Sequence, residues 1–524
     1  MTEPAWVLED ETPTMADLVD DLAERRRVAR TSAKGIMAQH ARGRLTARER
    51  LELLFDDGAF NEVQRMRKHR ASGFGMEASR PDGDGVVVGW GLVHGRRVFA
   101  YAHDFTVFGG SLGEAQAAKI HKIQDLAYAA GCALVSICDS AGARIQEGIT
   151  ALAGYGGIFR RNVRGSGVIP QISVMVGPCA GGAAYSPALT DFVFMVRGIA
   201  QMFVTGPDVV EAVTGESTTH EDLGGADVHS TRSGVAAGVY DDEESCLADV
   251  RFLLSMLPDA DNQELDFELV DIGPRDCPEL AQIVPANGEA SYDVRRVVKE
   301  VVDSGEFFEL HAEWATNIVI GMARLGGRTI GLVANQPSAL AGVLDIHSSV
   351  KAARFVQFCD AFRIPIVTLV DVPGFLPGID QEHNGVIRHG AKLLYAYCNA
   401  TVPRVQVILR KAYGGAYIVM DSPSIGCDIS FAWPTNEIAV MGADGAVKVI
   451  HRRRLAASAT PEEEARRLRE EYVSELGTPY VAAERGIVDE VIDPVETRDR
   501  LIQALEMLRG KDATGHRPHG NPPV

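Results

Sequence analysis

The chain repeats itself, and that repetition constrains its fold more than any other feature. Gly95-Arg96-Arg97-Val98-Phe99-Ala100 returns as Gly327-Arg328-Thr329-Ile330-Gly331-Leu332, an offset of 232. The apolar run 133–138 ends in Asp139 and the run 366–370 ends in Asp371, again 232 apart. Pro170-Gln171-Ile172-Ser173-Val174 matches Pro403-Arg404-Val405-Gln406-Val407. Each is followed by a glycine pair, Gly181-Gly182 and Gly414-Gly415, at an offset of 233. Gly206 and Gly442 continue the series at 236. So many landmarks near one spacing mean one structural plan used twice. Within each copy, β-branched runs of four to six residues alternate with longer helical stretches such as 115–130 and 348–362, the pattern of strands joined by helical crossovers. The expectation is an α/β fold with largely parallel pairing.

Length alone would suggest about three domains, but the repeat reduces the count to two. The expected organisation is a disordered N-terminus over 1–14, a first domain over 15–257, an acidic connector over 258–278, a second domain over 279–510 and a disordered Gly, Pro and His tail over 511–524. An insertion in the second copy carries Thr460-Pro461-Glu462-Glu463, which reads as an N-cap, an N1 proline and a capping-box glutamate opening a polar helix.

Charge narrows the function. Fifty-two Lys and Arg stand against 71 Asp and Glu, a net charge of −19, the opposite of a nucleic-acid footprint. An anionic small ligand would need local cations or backbone amides. The eight cysteines show no C-x-x-C pair and read as reduced core thiols. The first eleven residues lack the basic and apolar regions of a signal peptide, and the uncharged run 165–190 is interrupted by proline and glycine and reads as a buried strand with a Gly-rich loop. No membrane association and a cytoplasmic location are expected.

Both copies carry the same local device: a strand, a tight Gly-rich turn, then small residues that open a helix. Glycines without Cβ let a ligand oxygen approach the backbone, and the first N–H groups of a helix have no intrahelical partner. That makes an oxyanion hole, worth about 3 to 4 kcal/mol per donor. A glycine pair also serves simple close packing, but its duplication at matched register favours the functional reading. Asp139 and Asp371 open two further Gly-bearing loops, which contain Ala141, Gly142, Gly374 and Phe375 and should face the same cleft. The aspartates themselves read as turn or helix caps. Arg160, Arg161 and Arg164 form one cationic cluster that suits phosphates, a solvated face or subunit salt bridges, and 452–454 is a weaker counterpart. No nucleophile elbow, Walker A loop or dinucleotide motif occurs in the right context.

Taken together, the segments 139–148, 177–191, 371–378 and 410–420, with 39–50 near the start, resemble the carboxyltransferase (β) subunit of biotin-dependent acyl-CoA carboxylases. The likeness runs from Gln39 to about Leu508. It implies that each copy is a crotonase-like (ClpP/crotonase) spiral domain and that the chain forms a homohexamer, a trimer of dimers, with the first domain of one subunit facing the second domain of its mate. It implies that Gly181 and Gly182 hold the thioester oxygen of an acyl-CoA enolate, and that Gly415 and Ala416 hold the ureido oxygen of biotin. No side chain of the protein is then required as base, and no metal. The sequence contains no Ala-Met-Lys-Met biotinylation site, so biotin and its carboxylation arrive on a biotin carboxylase and carboxyl carrier α subunit. One departure stands beside Tyr417: propionyl-CoA members usually carry Asp where this chain has Ile418, in the acyl pocket. Ile418 is associated with acetyl-CoA or broader use. A subunit of a biotin-dependent decarboxylase or transcarboxylase, and a non-catalytic scaffold, are the alternative readings.

Overall fold

The structure is a computed structural model that describes residues 13–29, 33–258, 270–511 and 517–523. Sixteen strands form two eight-stranded sheets of identical plan. The first contains β1 (Asn61–Val63), β2 (Val86–Val93), β3 (Arg96–His103), β4 (Leu134–Ser140), β5 (Gln171–Ala180), β6 (Phe192–Val196), β7 (Gln201–Phe203) and β8 (Gly238–Tyr240). The second repeats it with β9 (Phe307–Leu310), β10 (Ile318–Leu325), β11 (Arg328–Asn335), β12 (Ile366–Val372), β13 (Arg404–Tyr413), β14 (Ile429–Ala432), β15 (Glu437–Ala439) and β16 (Glu490–Val491). The strand orders are β1-β2-β3-β4-β5-β6-β8 and β9-β10-β11-β12-β13-β14-β16. A leading antiparallel hairpin is followed in each by parallel pairs.

The parallel pairs need crossovers, and helices such as Glu114–Ala130 and Ile149–Gly165 supply them. Alternation then sorts the side chains. Val98, Ala100 and Ala102 of β3 join one buried cluster with Leu51 and Leu54 of the Ala47–Leu54 helix, while Phe99 and Tyr101 join another with Ile120 and Ile123. The first of these clusters continues into the second domain, and at the seam the Phe192 and Phe358 ring centroids lie 4.6 Å apart. The hydrophobic core thus helps to fix the two copies side by side.

The repeat extends to a buried charge. Lys119 donates to the carbonyls of Gly83 (2.9 Å) and Val86 (2.5 Å), and Lys351, 232 residues on, donates to those of Ile318 (2.8 Å) and Trp314 (2.8 Å). Each lysine ties a crossover helix to the start of a hairpin strand. Burial lowers both ammonium pKa values, to about 8 for Lys119 and about 7 for Lys351.

Several expectations need correction. Thr460 makes no side-chain cap to the Pro461–Tyr472 helix, its ψ of 69° departing from the extended 153–163° of the capping Thr14, Thr46 and Thr478; Glu464 pairs with Arg454 at 2.6 Å. Cys398 is exposed, whereas the other seven cysteines are buried as read. Of the connector, 259–269 lie outside the described residues, but its end is clamped by Arg498, which donates to the Gly273 carbonyl at 2.9 Å. Of the expected disordered N-terminus, 1–12 lie outside the described residues and Thr14 caps the Met15–Val28 helix.

The tail is the larger correction. Residues 512–516 lie outside the described residues, but 517–523 crosses the seam between the domains. The Asn521 amide N–H donates to Ser166 Oγ (2.8 Å) and its side chain to Asp191 (3.1 Å), while His519 meets Asp360 at 2.9 Å. Composition could not show this, since each contact joins residues more than 150 positions apart in sequence. Hydrogen bonding to Asp360 raises the His519 pKa above 6.5. The Asp360 pKa is lowered below 3.8; burial acts against that, and it is outweighed by bonds from His519, Thr401 and Val402. The clasp thus contributes fully only above the unfolded pKa of Asp360 and below that of His519, and is lost as pH rises through the raised histidine value. His519→Ala should lower the unfolding temperature more at about pH 6 than at about pH 8.5, as read by calorimetry.

Candidate active site

The two Gly turns are built by one backbone irregularity. Between β4 and β5 the register shifts between Cys138 and Ser140, and between β12 and β13 it shifts between Val370 and Val372. In each case the residue at the shift is the aspartate that ends the apolar run. Beyond the bulge the longer strand changes neighbour: β5 pairs with β6 through Met175 and with β7 from Pro178, while β13 pairs with β14 through Ile408 and with β15 from Lys411. The strand end is thereby swung away from the main sheet, and the Gly turn sits at its tip.

Neither aspartate is a turn cap. Asp371 is fully enclosed and accepts from Arg410 Nε (3.0 Å), the Tyr292 hydroxyl (3.0 Å) and the Lys411 amide (3.1 Å). Asp139 pairs with Arg50 Nη1 at 3.2 Å, and Arg50 also holds Glu243 at 2.5 Å. The copies differ for a covalent reason. Gly177 stands where the second copy has Arg410, and a Cβ there would lie 1.9 Å from Asp139 Oδ1. Pro178 stands where the second copy has Lys411 and has no N–H to give. Asp139 Oδ1 accordingly has no hydrogen-bond partner among the described residues. Burial pushes the Asp139 carboxyl up to about 6, against the opposing pull of Arg50.

At the tips, Gly181 and Gly414 share the same left-handed φ of 58°, a conformation that strains any residue with a Cβ. The Gly181 N–H donates to the Phe203 carbonyl at 3.1 Å. It is therefore already used, and the first helix amides beyond it are those of Gly182 and Ala183. By register these correspond to Gly415 and Ala416 of the second copy. The Gly181 N–H is thus committed inside the turn, and Gly182 and Ala183 open the helix that follows it. A Cβ on Gly182 would fall 2.7 Å from the Tyr155 ring, whereas one on Gly415 would meet nothing within 4 Å. The first turn is walled by an aromatic ring that sequence reasoning did not single out, although Tyr155 sits in the small-residue run 153–157. The second turn is open.

The remaining expected residues divide. A Cβ on Gly142 would lie 3.2 Å from the Ala180 carbonyl, so the Asp139 loop does lie against the first Gly turn, with Ala141 exposed beside it. Gly142 and Gly374 are pinned alike, their carbonyls accepting from Leu112 (2.8 Å) and Leu344 (3.0 Å). Ile418 is 43% exposed on the Gly414–Val419 helix. Tyr417 and Phe375 instead pack against the shared core. Two arginines of the cluster have partners within this chain. Arg161 makes a two-pronged contact with Asp125 (2.9 and 3.0 Å), and the Arg164 guanidinium lies 4.2 Å from the Tyr128 ring centroid, which leaves only Arg160 of the three uncommitted among the described residues. Periodicity places these residues on one helix but does not show that the neighbouring helix supplies a carboxylate and a ring.

A duplicated α/β fold with a Gly turn at the same place in each copy narrows the chain to a class of tandem crotonase-like proteins. The family is then explicit: residues 38–522 match the carboxyl transferase domain, and the chain belongs to that family. It is 53% identical over 518 residues to the carboxyltransferase subunit of propionyl-CoA carboxylase from Haloferax mediterranei, covering 98% of this chain and 100% of that one. It is 52% identical over 495 residues to the methylmalonyl-CoA decarboxylase α subunit of Veillonella parvula, covering 94% and 95%. Among solved structures, the transcarboxylase 12S hexamer with methylmalonyl-coenzyme A bound superposes with a TM-score of 0.92 at 49% identity, covering 98% of this chain and 99% of that one.

An N–H at position 178 would satisfy Asp139 as Lys411 satisfies Asp371. A carboxyl whose folded pKa is raised costs the fold stability as pH rises from 3.8 through about 6. Pro178→Ala should relieve that cost. Its unfolding temperature relative to the parent should become more positive between about pH 5 and about pH 8, and a difference independent of pH would show that the new amide does not reach the carboxylate.

Proposed function

We propose that this chain is the carboxyltransferase subunit of a biotin-dependent acyl-CoA carboxylase acting on a short-chain acyl-CoA. The observation that carries the reading is the pair of equivalent main-chain turns, one walled and one open. An acyl-CoA carboxylation develops negative charge on two oxygens, that of the thioester enolate and that of the ureido group. Two preorganised pairs of N–H donors match that demand. Gly182 and Ala183 would stabilise the thioester oxygen, with Tyr155 closing one side and the Asp139 loop the other. Gly415 and Ala416 would receive the ureido ring, and the absence of any group within 4 Å of the Gly415 Cβ direction fits an incoming planar ring. Biotin, when presented by a partner chain, supplies the carboxyl group. The chain's own residues hold the oxygens and position the reactants.

The surfaces around the turns support an assembled site. Tyr185, Val204 and Val213 flank the first turn, and their register equivalents Ile418, Val440 and Val449 flank the second. All six are at least 43% exposed. Apolar exposure repeated at the same positions in both copies is the mark of a covered surface. We assign it to a dimer in which the first domain of one subunit meets the second domain of its mate, within a homohexamer with a biotin carboxylase and carrier partner. Among the described residues no helix is long and apolar enough to cross a membrane. The identity to a decarboxylase subunit keeps one further reading, the same half-reaction run in reverse with a different partner.

A carboxylation assay with a biotinylated partner, ATP, bicarbonate and a panel of acyl-CoAs tests the assignment. Gly182→Ala should lose carboxyl transfer by about a hundredfold or more and also lower the unfolding temperature, because its methyl meets the Tyr155 ring. Gly415→Ala should lose transfer with the unfolding temperature unchanged, and full activity in that variant would remove Gly415 from the site. Ile418→Asp should shift the acetyl-CoA to propionyl-CoA rate ratio toward propionyl-CoA, a discrimination of about 1 to 3 kcal/mol.

A further inference from the structure

The seam between the domains holds a partly open cavity of about 210 Å³. No residue of the Gly turns or the aspartate loops lines it, so carboxyl transfer leaves it without a role. Its body is apolar, with Phe192, Ile320, Phe355 and Phe358 in the wall, and Asn521 and Pro523 of the C-terminal segment complete it. Within this apolar shell stands Arg354. Its Nη2 donates to the Thr190 carbonyl at 2.8 Å, but its buried Nε has no partner, and among the described residues no carboxylate lies within ion-pair distance. Two more buried polar atoms on the same wall lack a protein partner, His311 Nδ1 and Asn521 Oδ1. The nearby groups cannot complete the set. Lys351 Nζ is surrounded by four backbone carbonyls at 2.8 to 3.3 Å. Asp191 already accepts from the Gln171 amide (2.9 Å) and from Asn521 Nδ2 (3.1 Å).

Asp191 acts on Arg354 through space without pairing with it, and the buried Nε is left unanswered, a polar group whose desolvation an entering anion can offset. The low polarity of the site shows independently in its titratable groups: desolvation pushes the Asp191 carboxyl up to about 6 and the His311 imidazole down to about 3. The neutral imidazole offers one donor or acceptor beside the guanidinium, and the aromatic wall excludes a fully hydrated ion. We propose that this cavity binds a small monocarboxylate, an aliphatic or aromatic acid whose anion meets Arg354 and whose apolar body lies against Phe192, Phe355 and Phe358. The C-terminal segment forms one part of its wall, held by the His519 and Asp191 contacts.

Trp314 lines the same cavity and provides a readout that does not depend on carboxylase activity. Titrating the full chain with benzoate and with butyrate should give a saturable change in tryptophan emission that Trp314→Phe abolishes. Arg354→Gln should weaken it about tenfold or more. Ala188→Leu, which narrows the cavity while keeping the guanidinium, should weaken benzoate more than butyrate and keeps the test valid if the arginine variant fails to assemble. An absence of saturation at millimolar concentrations, a response to chloride or phosphate equal to that of the two acids, or binding undisturbed in both folded variants would overturn the proposal.

Discussion

A buried carboxylate at a β-bulge is the interaction on which the rest of this structure depends. Parallel strands of uniform register would run the whole length of β4 and β5 together and leave the Gly turn in the plane of the sheet. The shift at Asp139, and its twin at Asp371, forces the longer strand to part from its neighbour and pair with β7 or β15 instead. Such a kink leaves main-chain groups without ladder partners in a place water does not reach. A carboxylate can answer main-chain and guanidinium donors together, which an apolar side chain cannot. Its charge in turn demands Arg50 or Arg410. The chemistry of the site therefore begins two residues deep in the core, behind the amides that would touch substrate.

The same skeleton has been taken in two directions. In the second copy Arg410 and Lys411, on the strand that bends, supply two of the three donors to Asp371, and Tyr292 supplies the third. In the first copy Gly177 and Pro178 occupy those places, and the countercharge comes from Arg50, 89 residues earlier. Glycine there lets the carboxylate approach the strand closely, at the cost of an oxygen without a partner. The walls diverge in parallel: Tyr155 closes over Gly182, while Gly415 opens outward. A walled turn suits a flexible thioester that must be held in one pose. An open turn suits a ring delivered from outside on a partner.

What could be read from the sequence follows from this. Positions set by the backbone were visible, since a left-handed glycine, a strand-ending aspartate and an apolar run each leave a local mark, and the offset of 232 collected those marks twice. Which amide a turn uses internally leaves none. Only the 3.1 Å bond to the Phe203 carbonyl shows that the Gly181 N–H is used within the turn. Pairings across long sequence separations were equally silent: Arg50 with Asp139, Arg161 with Asp125, Lys119 with Val86, Asn521 with Asp191. The tail shows the limit most plainly, because a Gly, Pro and His composition describes a segment unable to form its own core but says nothing of a groove built by others.

Within one subunit the apolar residues beside both turns stay exposed. The shared core around Phe192 and Phe358 binds the domains through one surface, and the apolar residues beside each turn remain uncovered in the same subunit. If the two patches met within one chain they would be buried, and they are not. Because the copies are related by duplication, a patch from one copy approximates the shape that the other copy's patch presents, so two chains related by a twofold axis can satisfy both patches at once. In the proposed dimer a first-copy turn of one chain would meet a second-copy turn of the other twice over. The duplication that shaped the fold thus also supplies the reason the proposed site requires a pair of chains.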